Sequence, residues 1–591
     1  MPCPSGLQLG WNREAGCGQP LPQEISDPTA GPEECVGRRR LAIVPRDRTR
    51  ERERDGEERH HLSRQPRPGI VTCAGPGAAA ECLAMSMVAT LPELLEAVRA
   101  LHARVVSDAH QLSLEWQAGI RRSEFESSSR NLAAYLALRR HDLTELQPAL
   151  MRWGLSSLGR SESRVEATLE AVLQTLTALG ASEAPRPEPL DAARFFGGED
   201  VIEARASGLF GKARARRATR ILVTLPSEAA DDPDWMRVLV RSGIDCVRIN
   251  CAHDSRAIWG GMLENLRSAE RDLGRTDPIR VLMDLGGPKV RTVRPDKQKK
   301  DRYGVGDRLL LCPADDAASM RGSKRRHGLP VVGCTLRAPL ERLAVGDAVY
   351  IDDGKIGARA VERVESGVVI EIEHAPEGGK KIRNDKGMNF PDTEFGVASL
   401  TDKDRSDLDF VASHADLVGY SFVQTEADVD ALANELAARG ASPETPGILL
   451  KIETRRAIRN LPSLIVRAAG QRPSGVMIAR GDLAVELGFE RAAEMQEEIL
   501  WLCEAAQVPV VWATQVLDAL AREGLPTRGE VTDAAMASRA ECVMLNKGPH
   551  ILAAIQLLDR VLTRMEGHQH KKTPMLRVLH SWESSLPRRD G

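Results

Sequence analysis

The sequence predicts an α/β protein built on a (β/α)8 (TIM) barrel, and three observations carry that prediction. Eight short runs read as strands: RILVTLP, IDCVRIN, IRVLMDL, LVGYSFV, GILLKIE, GVMIARG, PVVWATQ and CVMLNKG. They begin near Arg220, Ile244, Ile279, Leu417, Gly447, Gly475, Pro509 and Cys542. Each is continuously apolar, which suits a strand buried on both faces in a parallel sheet. A helix-like segment follows nearly every run, the alternation expected of such a barrel. Finally, the runs end in reactive side chains, namely Arg248, Asn250, Asp284, Ser421, Lys451, Glu453, Arg480, Asp482, Thr514, Gln515 and Lys547. The carboxyl ends of the strands are where such a barrel keeps its active site.

The 591 residues suffice for about three or four domains. Residues 1–84 hold Pro, Gly and Arg in irregular order, including RRRLAIVPRDRTRERERDGEERHH, and are expected to be a disordered leader. Interleaved acids argue against a nucleic-acid-binding tail there. Native translation starting at Met85 or Met87 is a second reading of this leader. Residues 85–190 change to helix. LPELLEAVRALHARVV and RVEATLEAVLQTLTALG place apolar residues at i, i+3, i+4 and i+7, and Ser161 and Ser163 stand where an N-cap would precede the last helix. This predicts a small all-α domain, read as a packed interaction module rather than a nucleic-acid helix–loop–helix. EAPRPEPLD reads as a linker.

The barrel is expected over residues 217–293 and 394–575. Between its third and fourth strands, residues 294–393 contain DRLLLC, AVYIDDGKIGARAVERV and VVIEIEH with VGD and GGK turn signals. These alternating patterns predict a small inserted β domain at the mouth of the active site, where a lid would sit. The tail, 576–591, is too short for another domain, and HQHKK at His568–Lys572 reads as a solvated basic helix end rather than a metal tract.

Composition excludes several classes. A net charge of −3 gives no electrostatic reason to expect nucleic acid or an anionic membrane as partner. No apolar run approaches the roughly 18 residues of a membrane span, and no signal peptide is evident, which together predict a cytoplasmic protein. The 11 cysteines form no C-x-x-C pair, so buried reduced thiols are expected.

Lys451 and Glu453 are two apart on one predicted strand and share a face. Asp482 closes the next strand, after Arg480 and Gly481. Two carboxylates from adjacent strands can hold a hard divalent cation such as Mg2+, with Mn2+ able to substitute. A lysine beside the metal neutralises charge on a migrating phosphoryl group. Gly481 and the following helix N-terminus favour an anion. An ion-pair network at a strand end is the plainer alternative for any single pair.

The stretch from about Arg217 to Met565 resembles pyruvate kinase. The matching segments are VRINCAHD, MDLGGPKVRT, YIDDGKI, KGMNFP, LTDKDRSDLDF, YSFVQTEADV, LLKIE, VMIARGDLAVE, VPVVWATQVLDAL, PTRGEVTDAA and ECVML, in order and with matching spacing. The resemblance implies transfer of phosphate from phosphoenolpyruvate to ADP. It implies Glu453 and Asp482 as Mg2+ ligands, Lys451 as the stabiliser of the transferring group, and Arg248 as the grip on the substrate phosphate. The backbone around Ala479, Arg480, Gly481 and Asp482 would hold the substrate carboxylate, and Thr514 would stand beside the enol carbon. His253 and Arg291 match nucleotide-contacting positions, and Asp353 would reach the site from the lid. The chain is expected to end without the family's usual C-terminal regulatory domain, and a homo-oligomer is compatible with the sequence.

Three departures from the family pattern stand out. Asn250 and Asp284 match two of its K+ ligands, but Ala252 and Leu285 replace the other two, and Lys289 stands where K+-dependent members carry Glu. A tethered ammonium in that cage predicts that K+ is not required. Gly286 replaces a usual Lys. The loop after the last strand reads Asn546-Lys547-Gly548-Pro549, so ADP binding would have to use Lys547. Two other functions remain open from sequence: a Mg2+-enolate lyase or aldolase, and a non-catalytic module that binds phosphoenolpyruvate or pyruvate.

Overall fold

The N-terminal helices form a layer against one flank of the molecule. The computed structural model describes residues 90–180, 187–294, 302–319, 328–394 and 396–576, all within one unit, Ala74–Gly591. The expected leader and all of the tail beyond Leu576 lie outside the described residues. Helix α1 (Leu91–Gln117) buries Leu94, Val98, Leu101, Val105 and Ala109, the spacing of one helical face. That face packs on α2 (Glu126–Leu138) and, after the short α3 (Leu146–Arg152), on α4 (Val165–Gly180). The layer shares one hydrophobic cluster with the outer helices of the barrel. It is also bonded to them: Ser128 Oγ donates to Gln507 Oε1 at 2.6 Å and Asn131 Nδ2 to Ala505 O at 2.8 Å.

Two expectations for this region need correction. Ser161 and Ser163 do not cap α4. Ser161 Oγ donates to Leu158 O, and the first amide of α4, Val165 N, is met instead by Asn131 Oδ1 from α2 at 3.0 Å. A helix, α5 (Ala192–Phe210), also lies where the sequence suggested none. Its two consecutive glycines, Gly197 and Gly198, weaken the helical signal. Asp191 nevertheless caps it by accepting from Arg194 N.

Helix α5 closes the bottom of the barrel. Ala206, Leu209 and Phe210 enter the cluster formed by Leu222, Cys246, Leu282, Leu417, Leu449, Met477 and other inward strand residues. Arg220, 1% exposed, fastens α5 to the first strand. Its Nε donates to Gly211 O at 2.9 Å, Nη1 to Glu203 Oε2 at 2.9 Å and Nη2 to Ser207 Oγ at 2.8 Å.

The strands follow as β1 (Arg220–Thr224), β2 (Cys246–Asn250) and β3 (Arg280–Asp284). The insertion comes next, with β4 (Thr292–Val293), β5 (Arg308–Pro313), β6 (Val331–Cys334), β7 (Ala348–Ile351), β8 (Ile356–Val364), β9 (Gly367–His374) and β10 (Met388–Asn389). These seven make one sheet in the order β10-β7-β8-β9-β5-β6-β4, with its own core around Tyr303, Leu309, Val332 and Ile370. The barrel resumes with β11 (Leu417–Tyr420), β12 (Gly447–Ile452), β13 (Ser474–Ala479), β14 (Val510–Ala513) and β15 (Cys542–Leu545). It closes as β1-β15-β14-β13-β12-β11-β3-β2, with every pairing parallel.

The six cysteines among the described residues are free and buried. HQHKK is a hairpin rather than a helix end, Gln569–His570 pairing with Thr573–Pro574. Its lysines are not solvated, because Lys571 pairs with Glu541 and Lys572 with Glu162. No helix among the described residues is long and apolar enough to cross a membrane.

The two α5 glycines differ in what surrounds them. A Cβ on Gly198 would stand 2.3 Å from Ser163 O, whereas one on Gly197 would meet nothing within 4 Å. Gly198→Ala should therefore cost about 1–3 kcal/mol of stability through overpacking. Gly197→Ala should be neutral or stabilising by up to about 1 kcal/mol. Urea midpoints followed by circular dichroism read both, and equal midpoints would refute this packing of α5.

Candidate active site

Strand periodicity brings the reactive side chains together. Lys451 and Glu453 follow each other at alternate positions at the end of β12, so both face the axis. Lys451 Nζ donates to Ser421 Oγ at 2.6 Å and lies 3.0 Å from Glu453 Oε1 and 3.3 Å from Asp284 Oδ1. Burial opposes its charge, but Asp284 and Glu453 outweigh burial and hold the lysine pKa above its ordinary value. Glu453 is 2% exposed. Burial pushes its pKa up, Lys451 pulls it down, and Asp482 pushes it up again. Its Oε2 accepts from Phe422 N at 2.7 Å. Asp284 is fully buried. Burial alone would raise its pKa, yet Lys451 and Arg248 hold it below the usual carboxylate value. Arg248 reaches Asp284 Oδ2 through Nε at 2.8 Å and Nη2 at 2.7 Å, leaving Nη1 near Thr224 Oγ1 at 3.2 Å.

These groups line one cavity of about 140 Å³, with Asn250, Lys289, Arg291, Ala479, Asp482 and Thr514 on its walls and Met477 and Met544 among its apolar lining. Four cations therefore face three carboxylates. Glu453 and Asp482 share the cavity, as a divalent-metal pair must. Among the described residues no group of three or more His, Cys, Asp or Glu side chains could hold a metal. Two carboxylates fit a hard cation that completes its shell with water and substrate oxygens.

Thr514 is held in a left-handed conformation, φ 63°, followed by Gln515 at 56°. A β-branched residue there is strained by about 1–3 kcal/mol. Arg480 supplies the restraint: its Nε donates to Ala513 O at 3.0 Å, Nη2 to Thr514 O at 2.6 Å, and Nη2 also to Asp533 Oδ2 at 2.9 Å. The arginine side chain thus shapes the turn, and only the backbone of Arg480 is left to serve the substrate role expected of this segment. The turn brings Thr514 Oγ1 to Gly481 N, from which it accepts at 2.8 Å. That amide is therefore already engaged. The threonine's own proton remains free to be donated.

A family model described as the barrel domain of pyruvate kinase matches residues 216–549 of this sequence. A pyruvate kinase of Agrobacterium vitis is 31% identical over 366 residues, covering 60% of this chain and 70% of the relative. A pyruvate kinase of Methylorubrum extorquens is 33% identical over 364 residues, 60% of this chain and 69% of the relative. Pyruvate kinase 2 of Trypanosoma brucei brucei is 28% identical over 372 residues, 61% and 70% respectively. The chain belongs to the pyruvate kinase family. It is a pyruvate kinase-like transferase.

Lys289 shares the cavity with Asn250 and Asp284, and its ammonium lies 2.8 Å from Asp482 Oδ1. The reason is electrostatic: Asp284 is already matched by Arg248 and Lys451, whereas Asp482 has no closer cation. Asn250 Oδ1 instead accepts from Ala252 N at 3.1 Å. Ser421 and the Phe422 amide were given no role from sequence, yet both orient the Lys451–Glu453 pair. Their signal was position alone, at the end of the fourth barrel strand.

Of the three nucleotide candidates, one reaches the pyruvate kinase-like cavity. Arg291 lines it and also reaches Asp385, while His253 and Lys547 stand outside its lining. The three are nonetheless close in charge terms. Burial, then Lys547, then Arg291 hold the His253 pKa below its ordinary value. Lys547→Met should raise the His253 pKa. Deuterium exchange at the histidine ring, followed by mass spectrometry across pH, measures it, and an unmoved pKa would separate Lys547 from this group.

Proposed function

We propose that this family member moves phosphate from phosphoenolpyruvate to ADP with Mg2+, giving pyruvate and ATP, and does so without K+. The observation that carries the reading is the buried ammonium of Lys451 between Glu453, Asp284 and Ser421, in a cavity that also holds Asp482 and Arg248.

On this reading Arg248 is preset by Asp284 and presents Nη1 to the substrate phosphate. Glu453 and Asp482 would hold a Mg2+ ion, which would supply positive charge against the migrating phosphoryl group. Lys451 lies alongside and stays protonated. The bond from phosphorus to the enol oxygen breaks as a new one forms to the terminal phosphate oxygen of ADP. Fixed charge, present before the reaction, lowers the barrier because no solvent must reorganise. The enolate left behind takes a proton at carbon, and Thr514 is the donor or relay. His253, Arg291 and Lys547 would position the nucleotide.

K+ independence rests on two features. Ala252 and Leu285 offer no side-chain oxygen. The ammonium of Lys289 lies in the same cavity, so a fixed monovalent charge is already present. The family's cation would add a charge the protein carries covalently.

Two experiments test the proposal. Lys451→Met should lower kcat by at least about 10²-fold, the scale of losing a preorganised charge, with Tm showing that the fold persists. Equal rates for wild type and variant in a lactate-dehydrogenase-coupled assay would remove Lys451 from the chemistry. In buffer holding only sodium, the wild type should run at full rate, and Lys289→Glu should become slow until K+ is added. A wild type that needs K+ would refute that part of the reading.

A further inference from the structure

The helix Arg480–Leu487 carries a buried acid that no step above uses. Glu486 lies four residues, about one turn, beyond Asp482. It is 8% exposed. Its Oε1 accepts from Asn389 Nδ2 at 3.1 Å. Asn389 belongs to β10, the strand by which the chain leaves the inserted sheet, and pairs there with Tyr350 of β7.

Two more contacts join the same end of this helix to the insertion. Glu486 O accepts from Arg455 Nε at 2.6 Å, Arg455 Nη1 donates to Asp392 Oδ1 at 3.0 Å, and Asp392 Oδ2 accepts from Ala348 N, the start of β7, at 3.1 Å. A Cβ on Gly354, in the Asp352–Asp353–Gly354 turn, would stand 3.5 Å from Val485 Cγ2. The other end of the helix faces the active-site cavity through Asp482, whose Oδ1 meets Lys289 on the segment leading into the insertion.

We propose that Glu486 is a positioning residue: it couples the inserted domain to Asp482 through one turn of helix, so that the metal-binding carboxylate is set by where that domain sits. This rests on reading Asp482 as a metal ligand.

Simple packing does not account for Glu486. A buried carboxyl costs free energy that a leucine or methionine of similar volume would not. Burial pushes its pKa up to about 7, against the pull of Asn389 and Arg455 and with the push of Asp482 and Asp392. The acid therefore keeps its place through a directional bond to one partner. Its surroundings are also not filled. Glu486 borders a cavity of about 80 Å³ between the base of the insertion and the segment Thr454–Arg459, where Arg456 and Arg459 face Glu394. Phe422 lines both this cavity and the active-site cavity. A void beside the bond leaves room for the bond to move with the insertion.

Binding of Mn2+ to the full-length protein, read by the electron paramagnetic resonance of the free ion, tests the coupling without relying on turnover. Glu486→Ala and Asn389→Ala should each weaken Mn2+ binding by about ten-fold, the usual scale for losing an outer support of a metal site. The double variant should be no weaker than either single one, because both remove the same bond. Glu486→Gln, which keeps the shape and the hydrogen-bonding atoms, should bind nearly as wild type. Asp482→Asn should abolish binding. Wild-type Mn2+ affinity in Asn389→Ala and in a folded Glu486→Ala, with Asp482→Asn inactive in binding, overturns the coupling alone. Binding that survives Asp482→Asn overturns the metal site and the coupling with it. Should Glu486→Ala unfold, Asn389→Ala decides from the other side of the bond.

Discussion

The structure at the barrel mouth depends on keeping one ammonium charged where water is scarce. Lys451 is buried, and a buried lysine by itself loses its proton. Asp284 and Glu453 reverse that tendency, and Ser421 takes one of its three N–H donors. Each partner in turn has its own support. Arg248 forks onto Asp284, the Phe422 amide serves Glu453, and Lys289 meets Asp482. Removing one member of such a set leaves a charge buried without a partner, a loss of about 3–5 kcal/mol. The groups share one cavity, and they come from β2, β3, the turn after β11, the end of β12 and the helix after β13. Only a closed barrel brings five such elements to one point.

Strain is concentrated around the same point. Phe422, Thr514 and Gln515 all have positive φ, at the ends of β11 and β14. At Phe422 and Thr514 the conformation brings a polar group to a partner at the site: the Phe422 amide to Glu453, and the Thr514 hydroxyl to the Gly481 amide. Arg480 holds the second turn by two carbonyls and Asp533. An arginine suits this task because its planar fork binds several acceptors at once. Strained backbone and the side chains that restrain it are thus part of one arrangement.

Most of this architecture was legible in the sequence because strands buried on both faces read as short continuous apolar runs, separated by helical segments. The eight barrel strands begin within two residues of where apolar runs begin. Lys451, Glu453 and Asp284, at the strand ends, meet because strand geometry turns them to the axis, and Asp482 joins their cavity from the first turn of the helix after β13. What escaped reading depends on long-range contact. Helix α5 has a weak local signal, since Gly198 is there to let the helix approach Ser163 O, which lies 35 residues away in sequence. The cap of α4 comes from Asn131 on another helix and not from the serines beside it. Lys289 was grouped by position with Asn250 and Asp284, whereas the choice of partner depended on which carboxylate was already satisfied. Arg480 stands in the motif, but the direction of its side chain depends on Asp533, 53 residues later.

The cavity's charge balance bears on how the reaction can be ordered. Four cations against three carboxylates leave it close to neutral, so folding does not have to bury a large unmatched charge. The same balance gives little net attraction for a highly charged anion by itself. On the proposed reading, a divalent cation at Glu453 and Asp482 would change that: Lys289 would lose Asp482 as its counterion, and the site would gain two positive charges in a region of low dielectric, where each counts for more than in water. Anionic substrate would then be drawn into a cavity it would otherwise enter with little gain. On the proposed reading metal binding and phosphate binding are therefore coupled through Lys289 as well as through direct contact, and the lysine would do more there than stand in for a monovalent ion.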